Sequence, residues 1–387
     1  MITILSLSLY FIVLHFNDGG PIFSSSLIHP VSHTCRTTLL FVDRRDNNHR
    51  NTNKRRRTSL PMKTAPHTDL PDTSQSLDPQ TLAGTIEKGL KEKFDEHAIS
   101  RILTSWRLVD KDYYRKEYVG STTEHQEDMI QECHSYVPGL SVKSFWDEQQ
   151  FDWAKSLESS YSDIREEFDA VTANLSRLKR EGNNIWAGAL TDDASSYGEG
   201  WKTLALMDRG RWDDVNANLF PKTCQAVYKS GVPATEIFFA CMEGPSSIKK
   251  HSDFTNFVLT SHLALDIPYS GENKCRLTVG DETHQWINGK VSVFDTSLLH
   301  DAINESDQTR YILMMRFWHP DLSSVEKEAL QFTFDSLEFP ELISSDPKKQ
   351  LKAEKIVELS RSFPLTAKAI KKKKQKEGKQ KSGRGFG

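Results

Sequence analysis

Cysteine is scarce in this chain of 387 residues and never clustered: five stand at 35, 133, 224, 241 and 275, with no CxxC among them. That spacing argues against a cysteine-built zinc site and against a disulfide framework, so the set reads as free thiols in a reducing place. Long apolar runs are missing as well, apart from ITILSLSLYFIVLHF at 2–16, too short to span a bilayer comfortably. No 34-residue self-similarity is present, which leaves a helical repeat array without support. Nor does one sign of charge dominate. The net is -3, yet residues 1–63 carry +6 and residues 365–387 carry +8, so the middle carries -17. An acidic body between basic ends gives nucleic acid no natural place on the folded part, while the ends suit a polyanion or an anionic surface.

What is present divides the chain. Residues 2–16 have the length of a signal-peptide hydrophobic core, and the Ser-, Thr- and Arg-rich, acid-poor stretch after them has the composition of a transit peptide. Residues 1–63 are therefore expected to be a targeting segment for two-step import into an organelle such as a plastid, with the ER/Golgi or a short membrane anchor as rivals. Residues 64–78 read as a linker of Pro, Ser, Thr and Asp. Residues 79–185 read as a helical region packed on the core. There Leu82, Ile86, Leu90 and Phe94 recur every four residues, and the stripe is expected to run on through Ile102 and Trp106. A second stripe, Leu157, Tyr161, Ile164, Phe168, Val171, Leu175 and Leu178, is heptad-like. Such a stripe could pair two chains, but packing on its own sheet is the expectation and a homodimer is not favoured.

From 186 to 335, short β-prone pieces broken by Gly, Pro and Asp point to antiparallel strands in a jelly roll. They are 237–242, 257–267, 275–279, 284–287, 291–295 and 310–318. Asn288-Gly289, between two of them, reads as a two-residue hairpin turn. Residues 336–364 read as a C-terminal extension and lysine-rich 365–387 as a disordered basic tail.

The chemistry is concentrated between Ile237 and His319. His251 and Asp253 are two apart, so on an extended segment a neutral imidazole and a carboxylate share one face. In a β-sandwich the chain folds back, and His300 can supply a third ligand from a neighbouring strand. Two histidines and one carboxylate on one side of a metal leave the opposite positions open, as Fe(II) needs in order to take an oxo-acid and O2 together. Arg310 opens the next strand, where a planar guanidinium suits the far carboxylate of 2-oxoglutarate.

These residues stand among spaced pieces: FPKT at 220–223, GPSSIKKHSDFTN at 244–256, HLALDIP at 262–268, WINGKVSVFD at 286–295, LLHDAIN at 298–304 and RYILMMRFWHP at 310–320. In them the chain resembles the aspartyl/asparaginyl β-hydroxylase family of Fe(II)- and 2-oxoglutarate-dependent dioxygenases. The resemblance implies a mainly β, cupin-like double-stranded β-helix with flanking N-terminal helices. It implies that His251 and His300 bind the metal, that Arg310 pairs with 2-oxoglutarate and that His262 lies beside that co-substrate. Asp253 stands where the vertebrate aspartyl hydroxylases have glycine, and completes a three-ligand set. Two positions depart from the pattern. A serine that helps hold the co-substrate is Ala240 here, and an arginine two residues before His262 is Thr260, which leaves Thr260 to line the pocket with one cation fewer. Trp286, Trp318, His319 and Pro320 also match and are read as packing.

The expected activity is hydroxylation of Cβ of Asp or Asn in a peptide or protein, using Fe(II), 2-oxoglutarate and O2. One alternative keeps the chemistry and changes the acceptor to a small molecule or lipid. Another is a non-catalytic jelly-roll binding module, with Ala240 and Thr260 marking decay of the co-substrate site. Asn174 and Asn304 head N-x-S sequons, and a glycan on Asn304 would crowd the pocket, which weighs against a lumenal home.

Overall fold

The computed structural model describes residues 70–120, 129–188 and 196–363. The expected targeting segment, the first part of the linker and the basic tail lie outside the described residues.

The first apolar stripe is two helices. In α1 (Leu82–Lys93) the Thr81 side chain accepts from the Gly84 amide and sets the start. Phe94 is extended, and Asp95 takes the Ala98 amide in a turn before α2 (Ser100–Asp110). The helices fold back on each other, with Trp106 Nε1 donating to the Ala83 carbonyl at 2.9 Å. Ile86, Leu90, Ile102 and Trp106 thus reach one core from two rods, where the spacing had suggested one.

The next part of the supposed helical region is extended: β1 (Arg115–Tyr118), β2 (Ile130–Cys133) and β3 (Phe145–Trp146). Then come α3 (Asp152–Ser159), α4 (Tyr161–Thr172) and α5 (Leu175–Glu181). The second stripe is therefore broken at Ser160 and again at Asn174, whose side chain caps α5. Its Leu157, Ile164, Phe168 and Leu178 are buried against this chain's own sheet. Short β4 (Ala187–Gly188), β5 (Trp201–Asp208) and β6 (Arg211–Trp212) lead to α6 (Asp214–Leu219) and α7 (Pro221–Ser230). Pro221 suits the first turn of α7, and Gly231 at φ 77 ends it.

The strands that build the site follow: β7 (Ala234–Met242), β8 (Ser246–His251), β9 (Val258–Asp266), β10 (Cys275–Val279), β11 (Glu282–Gln285), β12 (Val291–Phe294), β13 (His300–Asn304) and β14 (Arg310–Trp318). They cross between two antiparallel sheets. The larger runs β3-β12-β9-β14-β7-β5-β4, with β6 on β5, and the smaller runs β11-β10-β13-β8. This winding is a double-stranded β-helix. The Asn288-Gly289 hairpin does not form, because β11 pairs with β10 in the smaller sheet while β12 pairs with β9 and β3 in the larger. The real two-residue turn is Gly280-Asp281, between paired Val279 and Glu282. Asn288 instead crosses the sandwich and takes the Ile267 amide at 2.8 Å.

Both faces of the larger sheet are covered, which is why its strands read as unbroken apolar runs. Phe239, Leu263, Leu313 and Phe317 face the helices α3 to α7, while Phe238, Ala240, Ala264 and Ile312 face the smaller sheet. α8 (Ser324–Glu338), begun by a Ser323/Glu326 capping box, crosses the boundary expected at 335. With α9 (Pro347–Arg361) it packs against α1 and α2.

Candidate metal centre

The centre is built where β8 and β13 lie side by side. His251 and His300 are Cα partners, and their ring centroids are 4.3 Å apart. Each ring is oriented by the backbone two residues earlier. His251 Nδ1 lies 2.7 Å from the Lys249 carbonyl, and His300 Nδ1 lies 2.9 Å from that of Leu298. A carbonyl only accepts, so both Nδ1 atoms carry the proton and both Nε2 atoms present a lone pair. Asp253 Oδ1 is 3.8 Å from each of these nitrogens. The ligand atoms of all three residues lie within 4.8 Å of one another, and among the described residues no other such group of His, Cys, Asp and Glu is found.

Burial sets the charge states. It lowers His251 to about 3, aided by neighbouring His300, and lowers His300 to about 4, so both rings are neutral near pH 7. Burial pushes the Asp253 carboxyl upward, and Arg316 opposes it with Nη2 3.4 Å from Oδ2. Local backbone anchors hold the HSD turn. The Asp253 amide donates to the Thr296 carbonyl at 2.7 Å, the Ser252 hydroxyl donates to Glu132 at 2.8 Å, and Phe254 turns the chain with φ 56. Two neutral imidazoles and one carboxylate, with His251 Nε2 buried and lacking a hydrogen-bond partner, fit a divalent transition metal.

A cleft opens on this centre. Arg310 lines it from the start of β14. Only 1% exposed, it lies with Cζ 4.2 Å from the centroid of Trp286, and its Nε and Nη1 have no hydrogen-bond partner. Burial brings its pKa down to about 10. His262 also lines the cleft. Its Nδ1 accepts from Trp286 Nε1 at 3.1 Å, so its proton is on Nε2, which is buried and unpartnered too. Burial, then Arg310, keeps that ring uncharged. A guanidinium with Nε and Nη1 unpartnered among the described residues, and an imidazole N–H in the same state, suit a carboxylate in this cleft. Thr260 shares the inner face of β9 with His262, but its hydroxyl meets that of Thr296 at 3.2 Å, and Thr296 is the one that lines the cleft. Ala240 is buried between the sheets and offers no polar group there.

Residues 158–320 match the sequence profile described as Aspartyl/Asparaginyl beta-hydroxylase. Over those residues the chain is similar to the aspartyl/asparaginyl β-hydroxylase family. It is 27% identical over 232 residues to human aspartyl/asparaginyl beta-hydroxylase, which covers 58% of this chain and 29% of the human protein. It is 30% identical over 177 residues to the ornithine lipid ester-linked acyl 2-hydroxylase of Rhizobium tropici, covering 45% of this chain and 60% of that one. It is 32% identical over 123 residues to mouse aspartate beta-hydroxylase domain-containing protein 2, covering 31% of each. The chain thus spans less than a third of the human relative's length.

The tertiary structure converges the spaced pieces that carry this similarity, but the roles of three residues of the site were not legible in the sequence. Trp286, read as packing, fixes the His262 tautomer and underlies Arg310. Tyr197 reaches Asp253 Oδ1 with its hydroxyl at 3.4 Å and sets its ring edge-on to His251. Arg316 touches Asp253. The last had a signal: an arginine at even spacing from Arg310 in RYILMMRFW, a strand of mostly apolar residues. Of the cysteines, Cys133, Cys224, Cys241 and Cys275 are free and buried.

Proposed function

We propose that this chain is a non-haem Fe(II)- and 2-oxoglutarate-dependent dioxygenase that hydroxylates a C–H bond. The observation that supports it most is the meeting, in one cleft, of the His251–Asp253–His300 donor set with buried Arg310, whose Nε and Nη1 have no hydrogen-bond partner among the described residues. His251, Asp253 and His300 would hold the iron, Arg310 would pair with the far carboxylate of 2-oxoglutarate, and His262 Nε2–H would donate to the same co-substrate. Bound iron supplies the activation of O2 that couples oxidative decarboxylation of 2-oxoglutarate to hydroxylation of an unactivated C–H bond. The protein's part is orientation and dryness. Backbone carbonyls fix the two histidine tautomers, Trp286 fixes the third, and Leu277, Phe294 and Ile312 keep the cleft walls apolar.

The acceptor proposed first is Cβ of an Asp or Asn side chain in a peptide or protein, the substrate class in the family's name. A lipid or small-molecule acceptor is the second reading, favoured by the match to the Rhizobium acyl 2-hydroxylase over 60% of its length. Anaerobic titration with Fe(II) and 2-oxoglutarate tests the chemistry. The expected result is a visible charge-transfer band that both His300→Ala and Arg310→Ala abolish. Bound metal without any band in the wild type would leave a jelly-roll binding module. Incubation with Asp/Asn peptides and with acylated ornithine lipid then separates the acceptors by which one gains an oxygen atom.

A further inference from the structure

Arg316 is buried to 1% exposure on the inner face of β14, a position where a guanidinium is costly unless something requires it. Its Cα partners are Thr260 on β9 and Glu236 on β7, the latter also buried. Its Nη2 lies 3.4 Å from Asp253 Oδ2. The other carboxylate oxygen, Oδ1, is the one at 3.8 Å from both histidine Nε2 atoms and at 3.4 Å from the Tyr197 hydroxyl. The two oxygens of Asp253 thus have separate neighbours, one facing the histidine nitrogens and one beside a buried cation.

We infer that Arg316 is the positioning residue of the Asp253 carboxylate. The inference rests on the proposed role of Asp253 as a metal ligand. Arg316 touches no metal. It prevents Asp253 from rotating Oδ1 away from the two histidine Nε2 atoms and balances the charge of the carboxylate in the buried sandwich.

The experiment is Co(II) binding to the anaerobic, 2-oxoglutarate-free protein, read by calorimetry and by the visible Co(II) spectrum, for Asp253→Ala, Arg316→Met and the double variant. Arg316→Met is expected to weaken Co(II) binding by about 10- to 100-fold, in the range of outer-shell substitutions, and to shift the spectrum. The double variant is expected to bind no more weakly than Asp253→Ala alone, because the two act through the same oxygen pair. Arg316→Lys is expected to recover part of the affinity and, should Arg316→Met not fold, carries the test by its own spectral shift. An Arg316→Met or Arg316→Lys protein with wild-type affinity and spectrum, beside an Asp253→Ala protein that has lost both, overturns the inference while leaving the ligand set standing. Wild-type binding by Asp253→Ala overturns the ligand set and the inference together.

Discussion

Trp286 donates its indole N–H to His262 Nδ1 at 3.1 Å while the face of the same indole lies 4.2 Å from the Arg310 Cζ. One side chain therefore orients two polar groups of the cleft, one by a hydrogen bond and the other by a cation–π contact.

Replacing Arg310 with Leu should separate binding from folding. A buried guanidinium without an anion destabilises the ligand-free protein, so Arg310→Leu should melt higher than the wild type when no 2-oxoglutarate is present. The same change should weaken 2-oxoglutarate binding by about 100-fold or more, since charge-assisted hydrogen bonds of about 1.5–3 kcal/mol each are lost. Thermal shift with and without 2-oxoglutarate checks both, and a variant that melts lower and still responds to 2-oxoglutarate would contradict the assignment.

Trp286→Phe keeps an aromatic face under Arg310 but removes the donor that sets the His262 tautomer. The expected loss in 2-oxoglutarate affinity is about tenfold, smaller than for Arg310→Leu, with Co(II) affinity unchanged. Parallel titrations of the two ligands measure the split.

Metal should stabilise the fold through His251, Asp253 and His300. At Mn(II) one hundred times its Kd the gain is about 2.7 kcal/mol, and a chelator should reverse it. His300→Ala should fold without that gain. An equal Mn(II) response in His300→Ala would place the ion elsewhere.

Away from the centre, Glu87 ties α1 to α2. It is 2% exposed. Burial alone would raise its carboxyl, but hydrogen bonds from Arg107 and Lys91 and from the Leu77 amide bring it down from 4.5 to about 2. As pH falls below about 4.5, the unfolded chain takes up the proton before the folded one does. The stabilisation is therefore complete above 4.5 and lost as pH approaches 2. Glu87→Gln should cost about 2 kcal/mol at pH 7, with the difference narrowing by pH 3, as judged by urea midpoints.

Much of the site was legible because its residues have chemistry that the alternative positions do not share. His251, Asp253 and His300 carry ligand atoms at a spacing that a β-sandwich can close, and Arg310 opens a strand. The helical stripes were less legible, because periodicity records which side is apolar and not where the rod breaks: Asp95, Ser160 and Asn174 cut them by local turn and capping bonds. Asn288-Gly289 misled because a turn dipeptide reports backbone conformation and is silent on which sheet receives the next strand.

By itself the sequence determined the alternation of strands, the apolar runs of a sheet covered on both faces, and the ligand types, all of which follow from local periodicity and side-chain chemistry. The tertiary structure alone decided that Trp286 serves His262 and Arg310, that Thr260 binds Thr296, and that Arg316 reaches Asp253. Those relations depend on strand register across two sheets. Register is set by the packing of the whole sandwich, so residues far apart in the chain acquire partners that no local spacing encodes.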